Sequence, residues 1–199
     1  MAVLSKRVLE MVPSATLGMS KRSRTMQEQG IDVINLSVGE PDFDTPQVIK
    51  EAGIEAINNN FTHYPPVPGF LDLRKAVCTK LLRDNGLSYS PDQIVVGNGG
   101  KHAIMNVLMA MVDPGDEVVI PAPCWVSYPE MVKFTEGVPV LVTAGIEDNF
   151  KITPAKLEAA ITPKTKLVIF NSPSNPTGMV YHREELNALA GVLAKYPHV

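Results

Sequence analysis

Cysteine is scarce, with two residues in 199. Cys78 falls in a helical pattern and Cys124 in a loop, with no C-x-x-C and no histidine at metal-ligand spacing, so neither a disulfide framework nor a zinc cluster is expected. Both read as small buried or half-buried thiols, and no metal is expected. Positive charge is not in excess either. The formal net charge is −3, and the single basic cluster, Lys21-Arg22-Ser23-Arg24, reads as a solvated helix face, so no nucleic-acid partner is expected. No run approaches the ~18 apolar residues of a membrane span. The opening MAVLSKRVLEMV has no signal-peptide core. A cytoplasmic protein without membrane contact is expected. Internal repeats, linkers and low-complexity tracts are missing as well. What remains is ordinary globular material, 45% hydrophobic and 20% charged, long enough for one domain or a domain with part of another.

The most informative stretch runs from Gln93 to Tyr128. A short apolar run, Ile94 to Val96, meets the turn Gly97-Asn98-Gly99-Gly100, after which Ala103, Ile104, Val107, Leu108 and Met111 recur at helical spacing. Asp113-Pro114-Gly115-Asp116 ends that helix, and Val118, Val119 and Ile120 begin a second strand. The spacing predicts a βαβ unit. Its turn would aim the N–H groups of Gly100, Lys101 and His102 off a helix start, where the helix dipole also favours an anion such as phosphate. The pattern matches neither the dinucleotide fingerprint nor the P-loop, and glycine also serves plain tight turns, so the stretch alone leaves both readings open.

Along the rest of the chain, residues 3–30 form a helical arm interrupted by Pro13 and Gly18. Ile31 to Val38 alternates as a strand and runs into the irregular Gly39-Glu40-Pro41-Asp42-Phe43-Asp44-Thr45-Pro46. Thr45 is placed to cap a helix with Pro46 at its first position, and Ile49, Ala52, Gly53, Ala56 and Ile57 give that helix one apolar face. FTHYPPVPG, residues 61–69, is an extended loop carrying His63 and Tyr64; Leu73, Val77 and Leu81 mark a helix ending at Asp84-Asn85-Gly86. Beyond the central unit, helices are expected over 125–134, 154–161 and 183–195, with strands over 138–142 and 166–170. Alternating strands and helices predict an α/β fold, a mostly parallel sheet with helices on both faces. The loop Asn171-Ser172-Pro173-Ser174-Asn175-Pro176-Thr177-Gly178 follows a strand end, where open α/β sheets bind ligands. The pattern calls for another strand after Lys195, so a continuation in a longer protein is expected.

Five motifs stand in order: Asn35 to Phe43 (NLSVGEPDF); Tyr64 with Gly69 and Leu73-Arg74; Gly99-Gly100-Lys101; Pro121 to Tyr128 with Trp125; and Asn171 to Gly178. With them the chain resembles the N-terminal half of the class I/II (fold type I) pyridoxal-phosphate-dependent aminotransferases, and within them the bacterial aspartate aminotransferase subgroup. The resemblance implies a small-domain arm and segment over residues 1–45 and the first part of the cofactor-binding large domain over 46–199. It implies pyridoxal 5'-phosphate as cofactor. The turn at Gly99, Gly100 and Lys101 would hold the cofactor phosphate, and Trp125 would stack on the pyridine ring. Asn175 would donate to the phenolic oxygen and, with Trp125 and Gly39, contact the substrate, the Gly39 N–H meeting its carboxylate. Tyr64 would reach the phosphate of a neighbouring subunit, implying a homodimer with shared sites. A cis bond is expected at Asn175-Pro176.

The same resemblance implies that the Schiff-base lysine lies downstream in a Ser-x-Ser-Lys-type segment, a context that Lys101, Lys133, Lys164 and Lys166 lack. No catalytic residue is therefore assigned within residues 1–199, and this stretch by itself is expected to be inactive. The implied reaction moves an amino group from an L-amino acid, with aspartate favoured, to a 2-oxo acid. Relatives that also take prephenate carry a basic residue before Pro-Ser-Ala-Thr; Val12 stands there, which weakens a prephenate assignment. Two alternatives keep the fold: a lyase or synthase using the same cofactor, and a non-catalytic cofactor- or effector-binding module. A generic phosphate-binding α/β domain is a third, leaving Trp125 and Asn175 as core and turn residues.

Overall fold

The computed structural model describes residues 4–37 and 39–199. The predicted helical arm begins at Val3 and the predicted strand ends at Val38; these two positions lie outside the described residues. The chain divides into two compact units, one of residues 1–37 with 104–199 and one of residues 38–103.

In the first unit, three strands form a parallel sheet: β1 (Glu117–Ala122), β2 (Val138–Thr143) and β3 (Thr165–Val168), in the spatial order β2-β1-β3. Glu117 pairs with Val138 on one side and with Thr165 on the other. Alternation along β1 sends neighbouring side chains to opposite faces. Val118 and Ile120 pack with Leu108 and Val112 and with Tyr128, Met131 and Val132. Val119 packs on the other face with Val142, Ile152, Leu157, Tyr181, Leu189 and Val192. Both faces of the strand are thus covered, which is why it reads as an uninterrupted apolar run.

The helices covering the sheet begin where local chemistry dictates. Helices α5 (Gly100–Met111) and α6 (Ser127–Phe134) serve the Val118 face. Helix α7 (Pro154–Ala160) starts with proline in its first turn, and the Thr153 hydroxyl accepts from the Lys156 N–H at 3.3 Å. Helix α8 (Arg183–Leu193) starts with the Glu185 carboxylate accepting from the His182 N–H at 2.7 Å, and buries Leu189 and Val192. Near the N-terminus, α1 (Lys6–Leu9) precedes α2 (Ala15–Glu28). Pro13 separates them, but Gly18 does not interrupt: it lies inside α2, and one glycine costs a helix only ~1 kcal/mol. The arm meets α6, the Val12 N–H donating to Glu130 at 3.0 Å and the Arg7 guanidinium standing 5.7 Å from the Phe134 ring.

The second unit holds α3 (Gln47–Asn58) and α4 (Leu71–Asn85). Pro46, not Thr45, caps α3, without a side-chain bond. Helix α4 stops at Gly86, whose φ of +67° and N–H bond to Leu82 close the last turn; the Leu87 N–H reaches back to Leu81 at 3.1 Å.

Two expected strands are not strands. Ile31 to Ser37 forms no strand among the described residues; Val33 is half-buried, whereas Ile34 at 86% and Leu36 at 90% exposure face out. Ile94 to Val96 likewise forms no ladder among the described residues; the Ile94 N–H donates to Pro91 at 3.2 Å and the Val96 N–H to Pro68 at 3.0 Å. The expected βαβ unit therefore lacks its first strand. Alternation supplies a face for burial, but a strand exists only where a neighbouring backbone completes its hydrogen bonds.

Candidate functional site

The second unit holds a turn and a loop that carry sequence-predicted residues. Before α5 the Gly99 N–H donates to Gly97 at 2.8 Å, and the Asn98 N–H donates to Nδ1 of His102 at 2.9 Å. The first helical bond runs from the Ala103 N–H to Gly99 at 3.2 Å. Gly100, Lys101 and His102 thus form the first turn of the helix, the end towards which the helix dipole draws an anion. Gly99 has φ +86°, a conformation glycine adopts without strain, and a Cβ on Gly99 or Gly100 would meet nothing within 4 Å. An anion can approach this backbone closely. On the 61–69 loop, Tyr64 is fully exposed, and Gly39 is exposed as well. Arg74 braces the loop's end, donating from Nε to Gly69 at 3.1 Å and from Nη1 to Pro91 at 2.8 Å.

Within the first unit, two loops leave the C-terminal ends of adjacent parallel strands. After β1 the chain turns through a cis Ala122-Pro123 bond to Cys124 and Trp125. The Tyr128 N–H donates to the Trp125 carbonyl at 3.0 Å, and the two rings meet edge to face, centroids 5.3 Å apart at 88°. That contact, with packing against the Val118 face of the core, fixes the plane of the half-buried indole. Burial pushes the Cys124 thiol up from its ordinary pKa, and burial with Cys124 nearby does the same to the Tyr128 phenol. Neither side chain is ionised near neutrality.

After β3, the Ile169 N–H continues the ladder to Val119 at 2.9 Å, and the chain enters the 171–178 loop. The expected cis Asn175-Pro176 bond is present, with a second at Ser172-Pro173. Asn171 Oδ1 accepts from the Asn175 N–H at 3.0 Å; the Ser174 N–H donates to Met179 at 2.9 Å and the Gly178 N–H to Ser174 at 2.7 Å. The Asn175 residue is exposed. Tyr181 anchors the loop's far end. Its N–H donates to Ser172 Oγ at 3.0 Å, its hydroxyl accepts from the Ile152 N–H at 2.6 Å, and its ring lies 4.8 Å from Phe170.

The two loops meet. Pro123, Cys124 and Tyr128 from the first face Phe170, Asn171, Ser174 and Asn175 from the second across a cleft also bordered by Phe150 and Tyr181. Its volume, about 10 Å³, is at the threshold for one water molecule, so the cleft is a packing seam and a ligand would lie outside it. The fold thus brings the Asn175 loop against the base of the Trp125 loop within one unit; Gly39, Tyr64, Gly99, Gly100 and Lys101 belong to the other. Tyr181 and Phe150 escaped the sequence reading. The available signal was a lone phenol just beyond the 171–178 loop, at a position otherwise suited to an aliphatic residue. Among the described residues no cluster of three or more His, Cys, Asp or Glu could hold a metal, and no helix is long and apolar enough to cross a membrane.

An aspartate/prephenate aminotransferase of Cereibacter sphaeroides is 53% identical over 199 residues, covering 100% of this chain and 50% of that protein. An aspartate aminotransferase of Bacillus sp. is 50% identical over 190 residues, covering 96% of this chain and 48% of its own. Among solved structures, the aspartate aminotransferase of Rhizobium meliloti superposes with a TM-score of 0.96 at 43% identity, covering 100% of this chain and 50% of that one. That of Thermus thermophilus with maleate gives 0.95 at 46%, covering 99% and 52%. The chain spans about half the length of the curated relatives it matches. The family described as aminotransferase class I and II matches residues 31–199, and with these similarities the chain belongs to that family.

Proposed function

We propose that residues 1–199 are the N-terminal part of an aminotransferase that uses pyridoxal phosphate to move an amino group from an L-amino acid, aspartate in the first instance, to a 2-oxo acid. The observation that carries this is the arrival of Trp125 and Asn175 on two touching loops at the C-terminal ends of neighbouring parallel strands, β1 and β3. The residues suit the cofactor. A glycine turn open to close approach, at the start of a helix, fits a phosphate, and an indole fixed by Tyr128 fits a flat aromatic ring.

When bound, the cofactor supplies the electron sink that makes the substrate's α-proton removable. The turn at Gly99, Gly100 and Lys101 would hold its phosphate, through the backbone N–H groups of Gly100 and Lys101. Trp125 would cover the ring without adding charge. Asn175 would donate its amide to the phenolic oxygen and, with Trp125 and the Gly39 N–H, orient the substrate; an amide does this without titrating. Tyr64, fully exposed on its loop, is available to a second copy of the chain, consistent with a homodimer sharing its sites in the cytoplasm. The boundary near residue 45, between a small-domain segment and the large domain, belongs to this proposal. The covalently bound lysine lies beyond Val199, so this stretch alone is inactive.

A second reading concerns the acceptor. The Cereibacter sphaeroides and Nitrosomonas europaea relatives are aspartate/prephenate aminotransferases by name, which favours prephenate, whereas Val12 before Pro13-Ser14-Ala15-Thr16 speaks against it. Assaying the full-length protein with prephenate beside a dicarboxylic 2-oxo acid decides between them.

The mechanism itself is tested by treating the full-length protein with pyridoxal phosphate and borohydride and mapping the pyridoxyl-lysine by peptide mass. One adduct beyond Val199 is expected. An adduct on Lys101, Lys133, Lys164 or Lys166 would overturn the division of labour, and no adduct would leave a binding module.

A further inference from the structure

We infer that Asn171 is a positioning residue whose side-chain carbonyl fixes the backbone of Asn175 and thereby sets where the Asn175 carboxamide stands. This rests on the proposed contact between Asn175 and the cofactor. The loop from 171 to 178 has little means of holding that point by itself. Pro173 and Pro176 carry no N–H. The Ser174 and Gly178 N–H groups close the far side of the turn, onto Met179 and Ser174. The Asn175 N–H is held instead by a side chain, Asn171 Oδ1, at 3.0 Å.

Asn175 is exposed, at the edge of the seam it shares with Pro123, Cys124 and Tyr128, so its carboxamide is not enclosed by the core. The backbone tether is what limits it. Asn171 is exposed too, on the same seam, and its side-chain bond is the one to the Asn175 N–H. The rest of the loop is secured independently, because Ser172 Oγ accepts from the Tyr181 N–H at 3.0 Å and the Tyr181 hydroxyl accepts from the Ile152 N–H. Removing Oδ1 of Asn171 therefore frees Asn175 without releasing the loop. The role needs only an acceptor at this reach. Aspartate keeps it; alanine does not.

The test uses the full-length protein with Asn171→Ala, Asn171→Asp and Asn175→Ala. Three properties are read: the dissociation constant of pyridoxal phosphate, the pH midpoint of the bound cofactor's visible absorption, and amide hydrogen exchange at Asn175. For Asn171→Ala, binding is expected to weaken about three- to tenfold, the range one hydrogen bond commands. The pH midpoint should move in the same direction as in Asn175→Ala, and exchange at Asn175 should accelerate. Asn171→Asp should restore slow exchange and bring binding to within about twofold of wild type. Wild-type binding and exchange in Asn171→Ala, alongside a shifted Asn175→Ala, would overturn the positioning role and leave the Asn175 contact standing. An Asn171→Asp variant as impaired as Asn171→Ala would also overturn it. If Asn175→Ala changes neither binding nor midpoint, the cofactor contact itself fails, and the inference with it.

Discussion

Replacing Tyr181 with phenylalanine removes one oxygen and leaves the ring. Tyr181 is 6% exposed and Ile152, whose N–H its hydroxyl accepts at 2.6 Å, is 4% exposed, so both ends of the lost bond are buried. The Phe170 contact at 4.8 Å and the packing with Val119, Leu157 and Leu189 persist, so the apolar contribution is unchanged. What remains is a buried donor without an acceptor, which costs about 1–3 kcal/mol. For a chain of this size that lowers the melting temperature by roughly 2–10 °C. Urea unfolding should show a lower midpoint with an unchanged slope, and the Ile152 amide should exchange faster. The pH dependence gives a second signature. Burial, with Glu185 nearby, raises the Tyr181 phenol above its ordinary value, and the Ile152 N–H offsets part of that rise. A proton held more tightly in the folded than in the unfolded chain stabilises the fold below about pH 10, and the contribution is lost as pH rises through the folded value. Wild type should therefore lose stability on the alkaline side where Tyr181→Phe does not. An unchanged urea midpoint with a protected Ile152 amide would refute the reasoning.

Two other perturbations test the frame around the loops. A Cβ on Gly137 would lie 2.7 Å from Val112 Cγ1 and 3.2 Å from Val132 Cγ1, so Gly137→Ala should cost about 1–3 kcal/mol; Val112→Ala in the same chain should recover part of it, and strict additivity of the two in a double-mutant cycle would count against the clash. The Glu130 carboxyl is held below its usual range first by Lys133 at 2.8 Å, with burial opposing and the Val12 N–H assisting. Its contribution is present above about pH 4.3 and is lost as pH falls through the folded value. Thermal melts from pH 3 to 7 should therefore show a steeper acid loss in wild type than in Glu130→Gln.

Much of the fold was legible because the relevant forces are local or periodic. The run from Val118 to Ile120 announced a strand in the sheet, and the helix start expected at Pro154 and the helix end at Gly86 are those of the structure. The strands at Ile31 and Ile94 were misread for a nonlocal reason, since the alternation of the one and the apolar run of the other are real and the partner backbone is absent among the described residues. Gly18 was misread as a break because composition does not reveal how much the rest of α2 tolerates. Of the site, Trp125, Asn175 and the Gly99-Gly100 turn carried their own chemical signals. Tyr181 and the tether from Asn171 did not, because a hydrogen-bond acceptor declares its donor only when the chain is folded.

The sequence by itself determined which segments are helices and which central strands exist, since spacing, caps and β-branched runs act over a few residues. It also determined the chemistry on offer: glycine backbone for an anion, an indole for a flat ring, an amide that does not titrate. Only the tertiary structure decided that β3 lies beside β1 rather than beside β2. That order sets the loops carrying Trp125 and Asn175 against each other, because the C-terminal ends of adjacent parallel strands open on the same edge of the sheet, and no local pattern encodes which strand a crossover will choose as its neighbour.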